Sequence, residues 1–392
     1  MRVLLVVFSD AGHLNAMLAV AQHLEHRGHE LTVFSVQTDV SARCARAGLS
    51  ARCVAAIHTS GIAPDRSQRS IKLAEQLGNA RWLRRWLTLS LVDAVPNVLE
   101  ALDAAIRDCT PDVIATDAMA YAGAVAASRA GVPWASIATS ALGFLPADDP
   151  TSQVFRDIDP GRRLMVKALG ATLSFRGSDV ISPHLDIAFL ATELFPVDGV
   201  QLLGAALPRT SLATDHPFPW DRLPHDRPLV LVCFGSHLSP RPEIYAKICG
   251  ALTDDEAFFV VVLKDLLEEP FAAELPAHAL AVEYAPQLPL LERCAAMIHH
   301  GGANSVMECI SCGVPMMILP LGYDQHALGA AAARAGLGVV VDPANASEAD
   351  LRRSLLQILA PEGPRLETQR LAGSNRHGAE RAAELIEHLG SR

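Results

Sequence analysis

The sequence predicts an α/β chain of two successive domains, each a parallel sheet flanked by helices, and three observations carry that prediction. At 392 residues the chain exceeds one ordinary core and suits two domains of common size. Residues 2–8, 229–234 and 257–263 are nearly continuous apolar runs. A strand with no polar alternation is buried on both faces, as in a parallel sheet covered by helices. The same alternation of strand and helix signals then occurs twice, on either side of a proline-rich stretch.

In chain order, residues 2–8 form the first strand, 9–15 a polar loop and 16–27 a helix stopped by Gly28, with the next β-branched run at 30–36. Residues 112–116, a helix over 118–130 and, past Gly131, the run 132–138 repeat the pattern. Its second copy runs through 229–234, 257–263, 279–283, 296–299, 315–319 and 338–341. Pro208, Pro217, Pro219, Pro224 and Pro228 mark an extended linker between the copies. The expected organisation is a Rossmann-like domain over 1–207, a linker over 208–228 and a second Rossmann-like domain over 229–375. A C-terminal helix over 376–392 either completes the second domain or crosses back to the first.

Composition excludes several classes. Half the residues are hydrophobic and 19% are charged, which describes a compact globular protein. A net charge of −10 disfavours nucleic acid as a partner, because neutralising phosphates needs a basic face. The first apolar run is too short for a secretory signal, and no stretch approaches the roughly 20 apolar residues of a membrane span. A cytoplasmic location without stable membrane insertion is the expectation. The eight cysteines are scattered, and Cys309 and Cys312 alone have C-x-x-C spacing. Without a second pair they suit two buried thiols better than a zinc or redox centre. No metal or other cofactor is expected, and a homodimer is left open.

The densest chemistry lies in Tyr284-Ala-Pro-Gln287, His300-Gly-Gly-Ala-Asn-Ser305, Glu308 and Asp324-Gln325. A strand over 296–299, a turn through Gly301 and Gly302 and a helix from Asn304 place backbone N–H groups and a helix dipole at one point, an anion site that needs no metal. The glycines admit a pyrophosphate close to the backbone. His300, Asn304 and Ser305 add donors, and Glu308, one turn on, can accept from ribose hydroxyls. Competing motifs are missing: no G-x-G-x-x-G follows the first strand and no Walker-type loop exists. Asp157-Ile-Asp159 has a metal-binding D-x-D spacing but sits in a polar stretch expected to be a loop.

This segment resembles the donor-binding signature of family 1 glycosyltransferases, a family of GT-B fold in which two Rossmann-like domains face each other across a cleft. The sixteen-residue step from Tyr284 to His300 is similar to the bacterial, antibiotic-glycosylating members. The resemblance implies that Tyr284, where the family usually has Trp, stacks on the base, that Gln287 meets the ribose, and that Asp324 and Gln325 hold sugar hydroxyls. It extends to the first half. His13 occupies the position of the family's catalytic base, although the Pro three residues on is Ala16 here, and Asp117 that of the Asp orienting it. Thr139 resembles a donor-sugar or phosphate contact, and Ser236 a phosphate-contacting residue. Taken alone, His13 is an ordinary loop histidine, Asp117 a helix cap, and Thr139 and Ser236 satisfied turn hydroxyls.

The resemblance implies an inverting transfer from an NDP-sugar, in which neutral imidazole at His13 takes the acceptor proton near pH 7. The acceptor is expected to be small and hydrophobic, bound by Trp82, Trp86 and Phe144 from segments 57–95 and 142–175. Three other readings are weighed beside it: an NDP-sugar epimerase, a lipid or glycan transferase for which the basic aromatic stretch 81–87 lies on a membrane, and a catalytically silent activator of another enzyme. Retention of His13, Asp117, His300 and Gln325 argues against the last.

Overall fold

A computed structural model of the chain describes residues 1–8, 10–55, 69–77, 79–210 and 217–392. The chain divides into two compact units, Met1–Ile62 with Ala80–Ala213 and Arg376–Arg392, and Ala63–Asn79 with Thr214–Asn375. Both are α/β with parallel sheets. Of the expected linker, residues 211–216 lie outside the described residues, and a 3₁₀ turn follows at Trp220–Arg222.

In the first unit the strands are β1 (Arg2–Val7), β2 (Glu30–Ser35), β3 (Arg52–Ala55), β4 (Val113–Asp117), β5 (Trp134–Ala138), β6 (Ser174–Arg176), β7 (Asp179–Ile181), β8 (Leu185–Ala188) and β9 (Gln201–Leu202). Seven form a parallel sheet in the order β3-β2-β1-β4-β5-β8-β9, and β6 and β7 make a separate antiparallel hairpin. Because β1 lies between β2 and β4, successive connections run to opposite sides there. That leaves a crevice at the strands' carboxyl ends, the place where open α/β sheets bind ligands. On one face Val3, Leu5 and Val7 pack with Leu14 and Met17 of helix Ala11–His26 and with Ala382 and Ile386 of helix Gly378–Gly390. The C-terminal helix thus completes the first unit.

The second unit repeats the plan with β10 (Leu229–Cys233), β11 (Phe258–Val262), β12 (Ala279–Val282), β13 (Ala296–His299), β14 (Met316–Ile318) and β15 (Gly338–Val340). The order is β12-β11-β10-β13-β14-β15, parallel throughout, so its crevice opens beside β10 and β13. Phe234, Tyr245, Phe259 and Ile298 anchor one side of its core. Helix Arg69–Leu77 also belongs here, tied by the Ser70 hydroxyl to Asp265 at 2.9 Å, although by sequence position it falls in the first half.

Two elements differ from the sequence reading. The first helix begins at Ala11, inside the expected loop, because Asp10 caps it by accepting from the Gly12 amide at 2.9 Å. Ala11 and Gly12 carry no apolar period, so periodicity detects the helix late. Asp157 and Asp159 lie in helix Pro150–Ala168, not in a loop. Asp149 caps that helix, Pro150 suits its first turn, and Asp159 pairs within one turn with Arg162 at 2.7 Å and Arg163 at 2.5 Å.

Two glycines give opposite expectations. A Cβ on Gly338 would overlap the carbonyl oxygen of Met316, its partner across β14 and β15, whereas Gly161, in helix Pro150–Ala168, has open space around it. Gly338→Ala should cost about 1–3 kcal/mol or more. Gly161→Ala should add roughly 0.5–1 kcal/mol. Urea unfolding of both variants checks the pair.

Candidate functional site

In the first unit, chemistry gathers where β1, β4 and β5 end. His13 stands in the first turn of helix Ala11–His26, with its side chain 12% exposed, and Asp117 closes β4 fully buried. Nδ1 of His13 lies 2.8 Å from Oδ2 of Asp117. The Thr139 hydroxyl, just past β5, is 2.7 Å from the same Nδ1 and donates to Oδ2 of Asp117 at 3.0 Å, while the Met119 amide donates to Oδ1 at 2.9 Å. A carboxylate facing Nδ1 keeps the proton on that nitrogen and leaves Nε2 for chemistry. Thr139, expected to contact the donor sugar or phosphate, also belongs to the His–Asp cluster. The Phe8 ring flanks the imidazole at 5.2 Å.

Burial disfavours the imidazolium, but Asp117, Asp10 and Asp179 outweigh it and push His13 up to about 9. The expectation of a neutral imidazole near pH 7 therefore meets an environment that favours the imidazolium. Sequence position shows that an Asp follows β4 but not how many carboxylates converge on the ring.

Beside the cluster is a cavity of about 100 Å³ lined by Phe8, Phe34, Val36, Val95, Met119 and Tyr121 among others, mostly apolar residues with Ser90 among them. Trp82, Trp86 and Phe144 do not line it. The two tryptophans, one helical turn apart, stack on each other at 6.2 Å, while Leu83 and Leu87 of the same helix are buried. Phe144 is held in the core, with the Arg176 guanidinium 4.1 Å over its ring and Phe195 at 6.2 Å. Of the three rings expected at the acceptor, Phe144 is thus in the core and the two tryptophans are half-buried.

In the second unit the residues singled out by sequence cluster at the carboxyl ends of β10, β12, β13 and β14. Gly301 has φ +91°, and a Cβ there would come within 2.8 Å of Ile318 and 3.1 Å of the Gln325 carbonyl. The turn therefore requires glycine. The His300 ring is pressed against Gly302 and against Gly235 of the loop after β10, since a Cβ on either would lie within 2.7 Å of it. Ser236, next along that loop, meets Nδ1 of His237 at 2.8 Å. Helix Ala303–Cys312, which carries Asn304, starts at Gly302, a cap without a side-chain oxygen. His299, which sequence reasoning passed over, sets the turn: its Nδ1 accepts from the Gly301 amide at 3.1 Å, and burial pushes it down to about 3, so it stays neutral.

Gln287 opens helix Gln287–Leu291 and donates to Glu308 at 2.5 Å, with Ser305 at 3.4 Å. Burial lifts Glu308 to about 7 against the lowering effect of Gln287. Tyr284, past β12, is 41% exposed and presents an aromatic face. Gln325 is buried, and its carbonyl oxygen accepts from the amides of Leu321 at 2.7 Å and Gly322 at 3.0 Å. Its NH₂ group is not used by these two contacts, and Asp324, beside it at the helix start, is also buried. Cys309 and Cys312 are free thiols, and the Cys309 sulfur meets that of Met297. No helix among the described residues is long and apolar enough to cross a membrane.

Residues 248–389 match the family model described as "Erythromycin biosynthesis protein CIII-like, C-terminal domain". Among curated relatives, the NDP-glycosyltransferase YjiC of Bacillus subtilis (strain 168) is 24% identical, with 96% of this chain and 94% of that protein covered. The demethyllactenocin mycarosyltransferase of Streptomyces fradiae is 25% identical over 98% of this chain and 85% of its own length. The L-demethylnoviosyl transferase of Streptomyces niveus is 28% identical over 96% and 94%. Among solved structures, the glycosyltransferase of kitacinnamycin superposes with a TM-score of 0.76 over 99% of this chain and 98% of its own, at 22% identity. The glycosyltransferase VinC in complex with dTDP gives 0.73 over all of both chains at 21% identity.

The raised His13 has a consequence for stability. Its contribution is fully present below the unfolded value near pH 6.5 and is lost as pH rises through about 9. The stability difference between the wild type and His13→Gln should therefore shrink by on the order of 3 kcal/mol between about pH 6 and pH 10. Urea midpoints at the two pH values measure it; a pH-independent difference contradicts the assignment.

Proposed function

We propose that the chain is a GT-B glycosyltransferase of the family 1, natural-product branch, and that it catalyses an inverting transfer of a hexose or deoxyhexose; the partial family match and the relatives of similar length support this reading. The donor is a nucleoside-diphosphate sugar carrying UDP or dTDP, and the acceptor is a hydroxyl of a small, largely apolar molecule. The observation that carries this reading is the His13–Asp117–Thr139 cluster, a base with a fixed tautomer at a ligand-binding sheet edge beside an apolar cavity.

In this reading the acceptor oxygen attacks the anomeric carbon and its proton passes to Nε2 of His13. The bond from that carbon to the pyrophosphate oxygen breaks, and the nucleoside diphosphate leaves with the electron pair. Asp117 stabilises the imidazolium that forms, and Thr139 fixes the carboxylate. The leaving charge falls on the amides at the start of helix Ala303–Cys312, with His300, Ser305 and Ser236 as further donors, and no metal takes part. Tyr284 stacks on the base, Gln287 and Glu308 hold the ribose, and Asp324 with the Gln325 amide reads the sugar hydroxyls. A neighbour solved with dTDP and relatives named as mycarosyl and demethylnoviosyl transferases support a nucleotide-linked donor. The cavity between Phe8, Phe34 and Val95 supports an apolar acceptor better than Trp82, Trp86 or Phe144 does.

Because His13 must lose its proton first, kcat/KM for the acceptor should rise about tenfold per pH unit up to near 9. His13→Ala should abolish that limb and lower turnover by roughly 10²- to 10⁴-fold while sparing calorimetric affinity for UDP and dTDP. Near-normal turnover in His13→Ala removes the base assignment.

A further inference from the structure

The hairpin formed by β6 and β7 lies against the ends of the two strands that carry Asp117 and Thr139. The Val180 amide donates to the carbonyl of Ala118, the residue after Asp117, at 2.9 Å, and the Ser136 hydroxyl of β5 donates to the Val180 carbonyl at 2.5 Å. Next to Val180 is Asp179, buried to 1% exposure. Ser178 donates to its Oδ1 at 2.7 Å, and the Arg176 guanidinium stands 3.6 Å from Oδ2 while binding Asp186 of β8 at 2.6 Å. Oδ2 has no hydrogen-bond partner among the described residues. It presses on Gly143, where any Cβ would overlap the carboxylate.

Taking His13 as the base, we propose that Asp179 is a positioning residue for the His13–Asp117 pair. The Val180 and Ser136 bonds seat the hairpin against the ends of β4 and β5, Asp179 braces it from within through Ser178 and Arg176, and the buried carboxylate so placed near the pair tunes the proton affinity of His13.

The charges around both groups support this. His13 faces Asp117 from β4, Asp10 from its own helix cap and Asp179 from the hairpin. Asp179 faces Arg176, Asp186 and Asp117. On its other side are Tyr121, whose hydroxyl donates to the Ser178 carbonyl, and Arg162, which binds Tyr121 and Asp159. Asp117, Asp179 and Asp186 are thus three buried carboxylates in one neighbourhood; Arg176 is the cation in contact with Asp179, while the buried Arg162 is held by Asp159. An unmatched buried charge is costly, so one carboxyl retains its proton more strongly. Burial, exceeding the pull of Arg176, lifts Asp179 to about 7. When ionised, Asp179 favours the imidazolium; when protonated, it lets His13 deprotonate more readily.

The test is an NMR titration of ring-labelled histidine in the full chain, with His13 assigned through His13→Gln. It runs beside a pH–rate profile for transfer from UDP-glucose or dTDP-glucose to 4-nitrophenol. In Asp179→Asn the His13 midpoint should fall by roughly half to one pH unit, whereas Asp186→Asn, which loosens the same Arg176 bracket, should not lower it. The wild-type His13 curve should carry a second inflection near pH 7. An unchanged midpoint in Asp179→Asn, or equal falls in both variants, overturns the proposal. If Asp179→Asn does not fold, the wild-type curve decides: a second inflection supports the proposal and a single one overturns it. A lower His13 midpoint with an unmoved rate limb upholds Asp179 while removing His13 as the base.

Discussion

The hydrogen bond from His13 to Asp117 is the constraint on which the first unit's chemistry depends, and several elements exist to hold it. Asp10 must start the helix early enough for His13 to stand in its first turn. The parallel order β1-β4-β5 brings three carboxyl ends side by side, so that residues far apart in sequence share one carboxylate. Gly123, tight against Thr116, lets the following helix pack closely on β4. Each device is ordinary. Their product is an imidazole with one nitrogen committed and its proton affinity raised.

On the proposed reading the second unit meets a different demand, the placement of donors for a multiply charged leaving group. It does so with backbone: a glycine turn, a helix start without a capping side chain, and a buried neutral histidine that orients the turn from beneath. Because the donors are amides fixed by secondary structure, they need little reorganisation as charge develops. The Gln325 side chain is itself oriented by backbone amides, those of Leu321 and Gly322.

Much of this was legible in the sequence because parallel sheets announce themselves as unbroken apolar runs and because glycine turns before helices have few structural rivals. The strand 296–299 and the cluster after it sit as read. What was not legible has physical causes. Capping by Asp10 is a local hydrogen bond that periodicity does not register, and the charged pairs of helix Pro150–Ala168 disguise it as a loop. Phe144 reads the same whether a ring is buried under Arg176 or open to a ligand. The proton affinity of His13 depends on Asp179, brought near by a hairpin whose pairing no short motif reports.

In the proposed reaction a single displacement occurs at the anomeric carbon, with His13 as the base and the start of helix Ala303–Cys312 taking the leaving charge. The most direct measurement is the anomeric configuration of the product, read by proton NMR after transfer from an α-linked UDP- or dTDP-hexose. The account predicts a β-linked product; an α-linked product contradicts it.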